Sequence, residues 1–570
     1  MAAALVPPRL RQRVRASDRV ARLGLLGALA LLSIGLVAPL LLVLARAFET
    51  REGSEGGGVD HFTAYLGSPA LLQSLWHSVW VSVLVTVLVL PLAFTFAYAL
   101  TRSRMRFKGL FRTITLLPLL APSLLSAISL IYWFGNQGLA REFWLSLGFS
   151  GIYGAPGIVL AECFAVFPHA LMILVTSLTL ADARLYEAAE ALGTSTLRKF
   201  VTVTLPGAKY GLISAALVTF TLVITDFGIP KVVGGNFNML ATDVFKLVIG
   251  QQDFQRGAVV ALLLLTPAAL TFAIDHVVQR RQSSALSARA VPLVPRPSAR
   301  FDGLMTAYCA AVCVLMLAMF GMAVFASFAT LWPYNLTPSL VHYVAGLVDA
   351  ELASAMVNSI ELAAATAVAG TAAVFAGAYL LEKTRGFDGV RTAFRLVAML
   401  PMAVPGLVLG LGYIFFFNAP GNPLGFLYRT LGLLVLCTVV HFYTTGHLTM
   451  VTALKSIDPE FEAVSASLKV PFYVTLWRVT LPICLPTLLD VSRYFFINAM
   501  TTISAVVFLY SPETKLASLA ILNLDEAGES GPAAAMAVLI VAVSTLVTLL
   551  YLALGRLVDR RTQAWRRPVR

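Results

Sequence analysis

The chain has 570 residues, 58% of them hydrophobic and only 12% charged, with a formal net charge of +13 and a mean hydropathy of +0.82. That composition cannot cover a soluble globule with polar surface, so lipid is the solvent for most of the chain. The basic excess sits in a few inter-helix segments and the termini, which excludes a nucleic-acid footprint and leaves a membrane topology signal.

A hydrocarbon core about 30 Å thick takes roughly 20 apolar residues per helix. Runs of that length predict about twelve spans, near 23–45, 77–100, 111–134, 157–177, 207–226, 257–278, 304–328, 356–381, 392–417, 430–452, 483–507 and 533–555. Arg9, Arg11, Arg13, Arg15, Arg19 and Arg22 precede the first span, and Arg102, Arg104, Arg106 and Lys108 follow the second. Arg280, Arg281, Arg289, Arg296 and Arg300 follow the sixth, and Arg556, Arg560, Arg561, Arg566, Arg567 and Arg570 close the chain. Counted off span by span, all of these fall on one side, which the positive-inside rule makes the cytoplasm. On the other side, 329–355 has no Lys or Arg, and Glu49, Glu52, Glu55 and Asp60 outnumber Arg51. Both termini are therefore expected in the cytoplasm. The first span is too long for a cleavable signal and lacks a small-residue cleavage pattern.

The stretch 279–303, rich in Arg, Ser and Pro, reads as a linker between related halves. Val203-Thr204-Leu205-Pro206 returns as Val479-Thr480-Leu481-Pro482, an offset of 276 residues (482 − 206). The expected organisation is a basic N-terminus (1–22), a first half (23–278), the linker, a second half (304–555) and a basic C-terminus (556–570). Each half holds an even number of spans, so the all-α polytopic fold consists of two parallel rather than inverted repeats. Two such halves about one axis form a single pathway.

Cys163, Cys309, Cys313, Cys437 and Cys484 lie in or beside apolar runs, which argues against disulfides or a zinc site. No metal centre is expected.

Between the fourth and fifth spans, Glu187-Ala188-Ala189-Glu190-Ala191-Leu192-Gly193 reads as a short helix ended by a left-handed glycine. Thr194 or Ser195 can cap a second short helix towards Pro206. Glu-Ala-Ala, three residues, Gly, nine residues, a β-branched residue, one more and Leu-Pro resembles the signature loop of type I ABC importer permeases. Glu187, Ala188, Ala189, Gly193, Val203, Leu205 and Pro206 meet that pattern. The resemblance implies the type I permease fold and a coupling helix that docks on a separate ATPase subunit. Glu187 would then satisfy helix amides or nearby basic groups. The plain alternative is an amphipathic loop helix.

The second copy departs from the pattern. Aligned on Leu481-Pro482, Ala463 takes the glutamate position, Glu462 sits one residue early, and Lys469 replaces the glycine. Pro471 can open the following helix. No phosphate-binding loop of the form Gly-x-x-x-x-Gly-Lys-Ser/Thr occurs in the chain, so this chain binds no cofactor of its own and ATP is used by the partner. The resemblance implies two copies of an ABC ATPase, a periplasmic binding protein, and a bacterial inner membrane location.

The stretches 225–235, 240–252, 467–472 and 498–506 look like permeases of 2-aminoethylphosphonate importers, more than the ferric-iron or thiamine permeases of the same fused form. For the last stretch a small-residue helix interface is the plain alternative. Charged groups inside spans are costly, which makes Glu162, Asp226, Asp490 and Arg493 pathway candidates. Asp490 and Arg493, three apart, can instead pair on one helix face, and Asp226 can simply meet water. His169, beside Pro168, reads as a packing residue. An ion-coupled secondary transporter would need coupling-ion residues deep in the spans and no docking loop. A membrane enzyme would need facing His, Cys or carboxylate clusters, which the sequence does not display.

Overall fold

The computed structural model describes residues 16–49, 59–285, 291, 293–384, 387–458 and 460–562. Arg9, Arg11, Arg13, Arg15, Arg51, Glu52, Glu55, Arg289, Arg566, Arg567 and Arg570 lie outside the described residues, as do the side chains of Arg280, Arg281 and Arg561.

Among the described residues, nine helices are long and apolar enough to cross a bilayer alone: Arg19–Ala47, Pro69–Arg102, Ala155–Thr179, Thr196–Thr225, Phe254–Gln279, Ala299–Phe328, Ala350–Glu382, Phe472–Thr501 and Ser530–Val558. Two more are bent pairs, Asp388–Ala403 with Gly406–Phe417 at 115° and Leu431–His441 with Tyr443–Lys455 at 56°. Against the expected count of about twelve, the described residues give nine to eleven candidates by length and composition, and the 111–134 run falls outside that count because it is not one helix. It divides into Lys108–Thr115, a 3₁₀ turn at Leu117–Leu120 and Leu124–Phe134.

Proline causes the break. Pro118 and Pro122 in the first half, and Pro401 and Pro405 in the second, interrupt the backbone ladder at matching places. Each broken span is entered through a left-handed phenylalanine, Phe107 or Phe387, both at φ 64°. A strained feature kept at both positions marks the two halves as one design used twice.

The span expected over 483–507 also ends early, at Thr501. Beyond it Ile503, Ala505, Val506, Val507, Phe508 and Leu509 are buried in irregular backbone. The first half does the same after Thr225, where the short helices Gly228–Val233 and Leu240–Phe245 fold back into the protein. Irregular backbone at membrane depth survives only when buried in protein or lining a cavity. In each half a serine holds it: Ser78 Oγ accepts the Leu240 N–H at 2.8 Å, and Ser359 Oγ accepts the Ala517 N–H at 2.8 Å.

The leading helix of each half packs on the opposite half. Ala16–Leu32 lies against Asp388–Met399, and Ala38–Ala47 against Gly406–Phe417. A Cβ on Gly412 would meet the Pro39 carbonyl oxygen at 2.9 Å, so the absence of a side chain permits this close approach. Reciprocally, Ala299–Phe328 lies against Leu124–Phe134, where Trp133 Nε1 donates to the Ala318 carbonyl at 3.2 Å. Among the described residues the one sheet is a hairpin, Ala329–Leu331 paired antiparallel with Asn335–Pro338.

Candidate functional site

The first loop is capped by Asp182, whose carboxylate accepts the Arg184 N–H at 3.1 Å and opens the helix Ala183–Ala191. The helix stops at Gly193, which is left-handed (φ 67°). The Thr194 N–H closes the end on the Ala189 carbonyl at 3.1 Å, a Schellman-type turn. Ser195 then accepts the Arg198 N–H at 3.3 Å. The short helix that Ser195 caps, Thr196–Lys199, runs on as the leading end of the span Thr196–Thr225. Pro206 has no N–H to offer in the first turn of Leu205–Thr225, and the preceding turn Phe200–Thr204 widens to π, with the Leu205 N–H on the Phe200 carbonyl.

The second loop repeats these bonds 276 residues later. Asp458 accepts the Glu460 N–H at 2.9 Å, the helix Glu460–Ser467 ends at left-handed Lys469 (φ 57°), and the Val470 N–H meets the Ser465 carbonyl at 2.9 Å. Pro471 stands immediately before Phe472–Thr475, and a π turn at Leu476–Thr480 precedes Leu481 and Pro482. Lys469 therefore adopts the conformation of Gly193, and the missing glycine alters strain rather than shape.

The inward faces differ. In the first half an Arg102 Nη donates to the Leu178 carbonyl at 2.9 Å and to the Tyr186 hydroxyl at 3.3 Å, with the guanidinium 5.1 Å from the Tyr186 ring centre. The Tyr186 hydroxyl also meets Thr204 Oγ1 at 3.0 Å, joining the helix Ala183–Ala191 to the π turn. In the second half the position of Tyr186 is Glu462, whose carboxylate pairs with the buried Lys383 ammonium at 2.8 Å. Glu462 thus serves the interior, which explains its one-residue displacement from the family pattern.

The outward faces agree. Glu187 and Ala188 are exposed, Ala189 is buried, and Ala463 is exposed. Leu192 (81% exposed) is matched by Leu468 (70%), and Leu185, Leu197 and Val201 by Phe461, Tyr473 and Trp477, all exposed. Among the described residues Glu187 makes no amide or cation contact. Those duties fall to Asp182 and to Glu190, which pairs with Lys199 at 3.0 Å and Arg296 at 2.8 Å. The hydrogen bond from Lys199 is the main reason that the Glu190 carboxyl is held below its ordinary pKa. The linker braces this loop further: the Ala183 N–H donates to the Val291 carbonyl at 2.9 Å, and the Val291 N–H to Asp182 at 3.3 Å.

Sequence reasoning missed Asp182, Asp458, Tyr186, Glu190 and Thr204. The two aspartates carried a readable cap signal, whereas the other three depend on tertiary partners.

Among the pathway candidates, Asp226 accepts the Ile229 N–H at 2.8 Å and lies with Ser123 and buried Glu162. One Glu162 carboxyl oxygen is buried without a partner. Asp490 and Arg493 pair with each other at 3.1 Å on one helix face, with the Asp490 side chain 63% exposed. His169 keeps a buried Nδ1 without a partner. The five cysteines are free. Among the described residues no group of three or more His, Cys, Asp or Glu could hold a metal. Between the halves, the Phe245 and Phe508 rings stack at 6.2 Å, and Lys231 Nζ lies 2.6 Å from Glu526 Oε1.

Two parallel helical halves, each with a matching loop that presents an exposed apolar face, define a transport permease. The chain belongs to the family "Binding-protein-dependent transport system inner membrane component", matched twice, over residues 89–284 and 369–560. It is 27% identical over 466 residues to a ferric transport system permease protein of Actinobacillus pleuropneumoniae, covering 79% of this chain and 66% of that protein. A putative ferric transport system permease of Haemophilus influenzae is 26% identical over 434 residues, 73% of this chain and 67% of the relative. A molybdenum transport system permease of Mycobacterium tuberculosis is 30% identical over 166 residues, 29% of this chain and 63% of the relative. The chain thus spans about two thirds of the length of the ferric relatives. It is an ABC importer permease subunit, a class that works with an ATPase and a periplasmic binding protein. The expected likeness to phosphonate permeases finds no support in these relatives.

Proposed function

We propose that this chain is the permease of an ATP-driven ferric-iron importer, receiving its cargo from a periplasmic binding protein and its driving force from two ATPase subunits. The likeness to ferric permeases across both halves is the observation that supports the cargo. One loop per half supports two ATPase contacts, on Leu185, Ala188 and Leu192 in the first half and Phe461, Val464 and Leu468 in the second. By the positive-inside reading these loops and both termini face the cytoplasm.

The coupling follows from what each docking helix touches. An ATPase that moves Ala183–Ala191 pulls on Arg102 and Thr204 through Tyr186, and on Lys199 through Glu190. A push on the second loop reaches Lys383 through Glu462. The first route reaches the span that ends at Thr225, and the folded-back segment after that span carries Lys231 and Phe245, which meet Glu526 and Phe508 of the second half. Glu162 and Asp226 remain the first-half pathway candidates, while the mutual pairing of Asp490 and Arg493 supports a structural role for them.

The test is uptake by proteoliposomes containing the chain, its ATPase and its binding protein, with ⁵⁵Fe(III) and ¹⁴C-labelled 2-aminoethylphosphonate as alternative cargoes. ATP-dependent accumulation of iron alone supports the proposal. Accumulation of the phosphonate instead returns the cargo to the reading of 225–235, and uptake on an ion gradient without ATPase overturns the coupling scheme.

A further inference from the structure

The inward faces of the two loops carry an uncompensated charge in one half only. In the second half the cation at the end of the long helix, Lys383, is neutralised by Glu462 at 2.8 Å. Its first-half counterpart Arg102 meets only neutral groups, the Leu178 carbonyl and Tyr186, and its Nε is buried with no partner. Arg102 opens onto a cavity of about 400 Å³ that Lys108 and Arg112 also line, together with Leu100, Val175 and Leu293 of the linker. Among the described residues no carboxylate lines it. Asp302, whose charge reaches Lys108, is committed to the backbone N–H groups of Arg104 and Ser298. In the second half the positions of Lys108 and Arg112, counted from left-handed Phe107 and Phe387, are Asp388 and Thr392, neither of them a cation.

Three cations around one concavity, one of them with an unused buried N–H, call for an anion from outside the chain. The surroundings select its source. The lining residue Gly109 is followed by Leu110, and Val175 lies one helical turn from Met172; both Leu110 and Met172 are large, apolar and exposed on membrane helices. A pocket with basic residues on one side and a lipid-facing apolar wall on the other matches a phospholipid, with its phosphate at the cations and its chains along the wall. We propose that the Arg102–Lys108–Arg112 pocket binds the phosphate headgroup of an anionic phospholipid, which takes in the first half the place that Glu462 takes in the second. Because Arg102 also touches Tyr186, the bound headgroup steadies the first docking helix.

The test uses the purified full chain in zwitterionic detergent, with lipid occupancy read by native mass spectrometry. Phosphatidylglycerol, phosphatidylcholine and inorganic phosphate are the three probes. Phosphatidylglycerol should bind well above phosphatidylcholine. Each interfacial cation contributes roughly five-fold, so Arg112→Gln should weaken binding about five-fold and Lys108→Gln with Arg112→Gln about 25-fold. Arg112 is exposed and Lys108 half-buried, so these variants spare the packed Arg102. Equal binding by wild type and the double variant, or equal binding of the two lipids, overturns the proposal. Displacement by inorganic phosphate at concentrations comparable to the lipid identifies a soluble anion and overturns the lipid assignment.

Discussion

Lys469 and Gly193 hold the same left-handed turn with different side chains, and the difference has a measurable sign. A Cβ added at Gly193 would meet no atom within 4 Å, so substitution there costs backbone strain and not a clash. Gly193→Val should destabilise the first docking loop by about 1–2 kcal/mol, and Lys469→Gly should stabilise the second by about 1 kcal/mol. Hydrogen exchange over 183–199 and 460–475 reads both, with faster exchange in the first variant and slower exchange in the second. Glu190 belongs to the same scale. Its carboxyl is held below the ordinary range, so its pairing with Lys199 and Arg296 adds stability at neutral pH that is lost as pH falls through the folded-state pKa. In Glu190→Gln, exchange over 183–199 should be faster at pH 7 and lose the acid dependence of the wild type; an unchanged profile would remove the bracing role of Glu190.

Each loop helix turns one side chain inward, Tyr186 in the first and Glu462 in the second, and their contacts differ in kind. The Lys383 side chain is 8% exposed and that of Glu462 25%, so removing either partner leaves a poorly solvated charge behind. Glu462→Ala should therefore cost about 3 kcal/mol, whereas Lys383→Met with Glu462→Leu together should cost much less, because neither charge then remains. A double-mutant cycle by thermal unfolding in detergent decides this, and additive losses would show that the pair is not coupled. The corresponding first-half change, Tyr186→Phe, removes only the hydroxyl contacts to Arg102 and Thr204. Its expected effect is about 1 kcal/mol, with more ATP hydrolysed per solute moved.

At the scale of the whole molecule the halves meet at Phe245–Phe508 and Lys231–Glu526, and each embraces the leading helix of the other. A transport cycle must separate the two contact pairs while the crossed helices hold the halves together. A short thiol-specific crosslink between Lys231→Cys and Glu526→Cys should therefore stop uptake while leaving ATPase docking intact, and reversal of the crosslink should restore transport. Full uptake by the crosslinked protein would show that this contact is not part of the gate.

Much of this was legible in the sequence. Apolar run length located the helices, the 276-residue offset exposed the repeat, and the spacing from Glu187 through Gly193 to Pro206 marked the short helix, its left-handed stop and the start of the next span. Each of those signals is local, set by periodicity, proline or a turn residue, and needs no partner to be read. Three things needed the tertiary structure. The 111–134 and 392–417 runs break at prolines into separate helices, the second bent by 115°, which hydropathy does not register. The glutamate that binds cations in the first loop is Glu190 and not Glu187, because Lys199 and Arg296 arrive from a later turn and from the linker. Glu462 points inward because Lys383, distant in sequence, is buried beneath it, so the charge that sets its role comes from a helix that the local pattern does not contain.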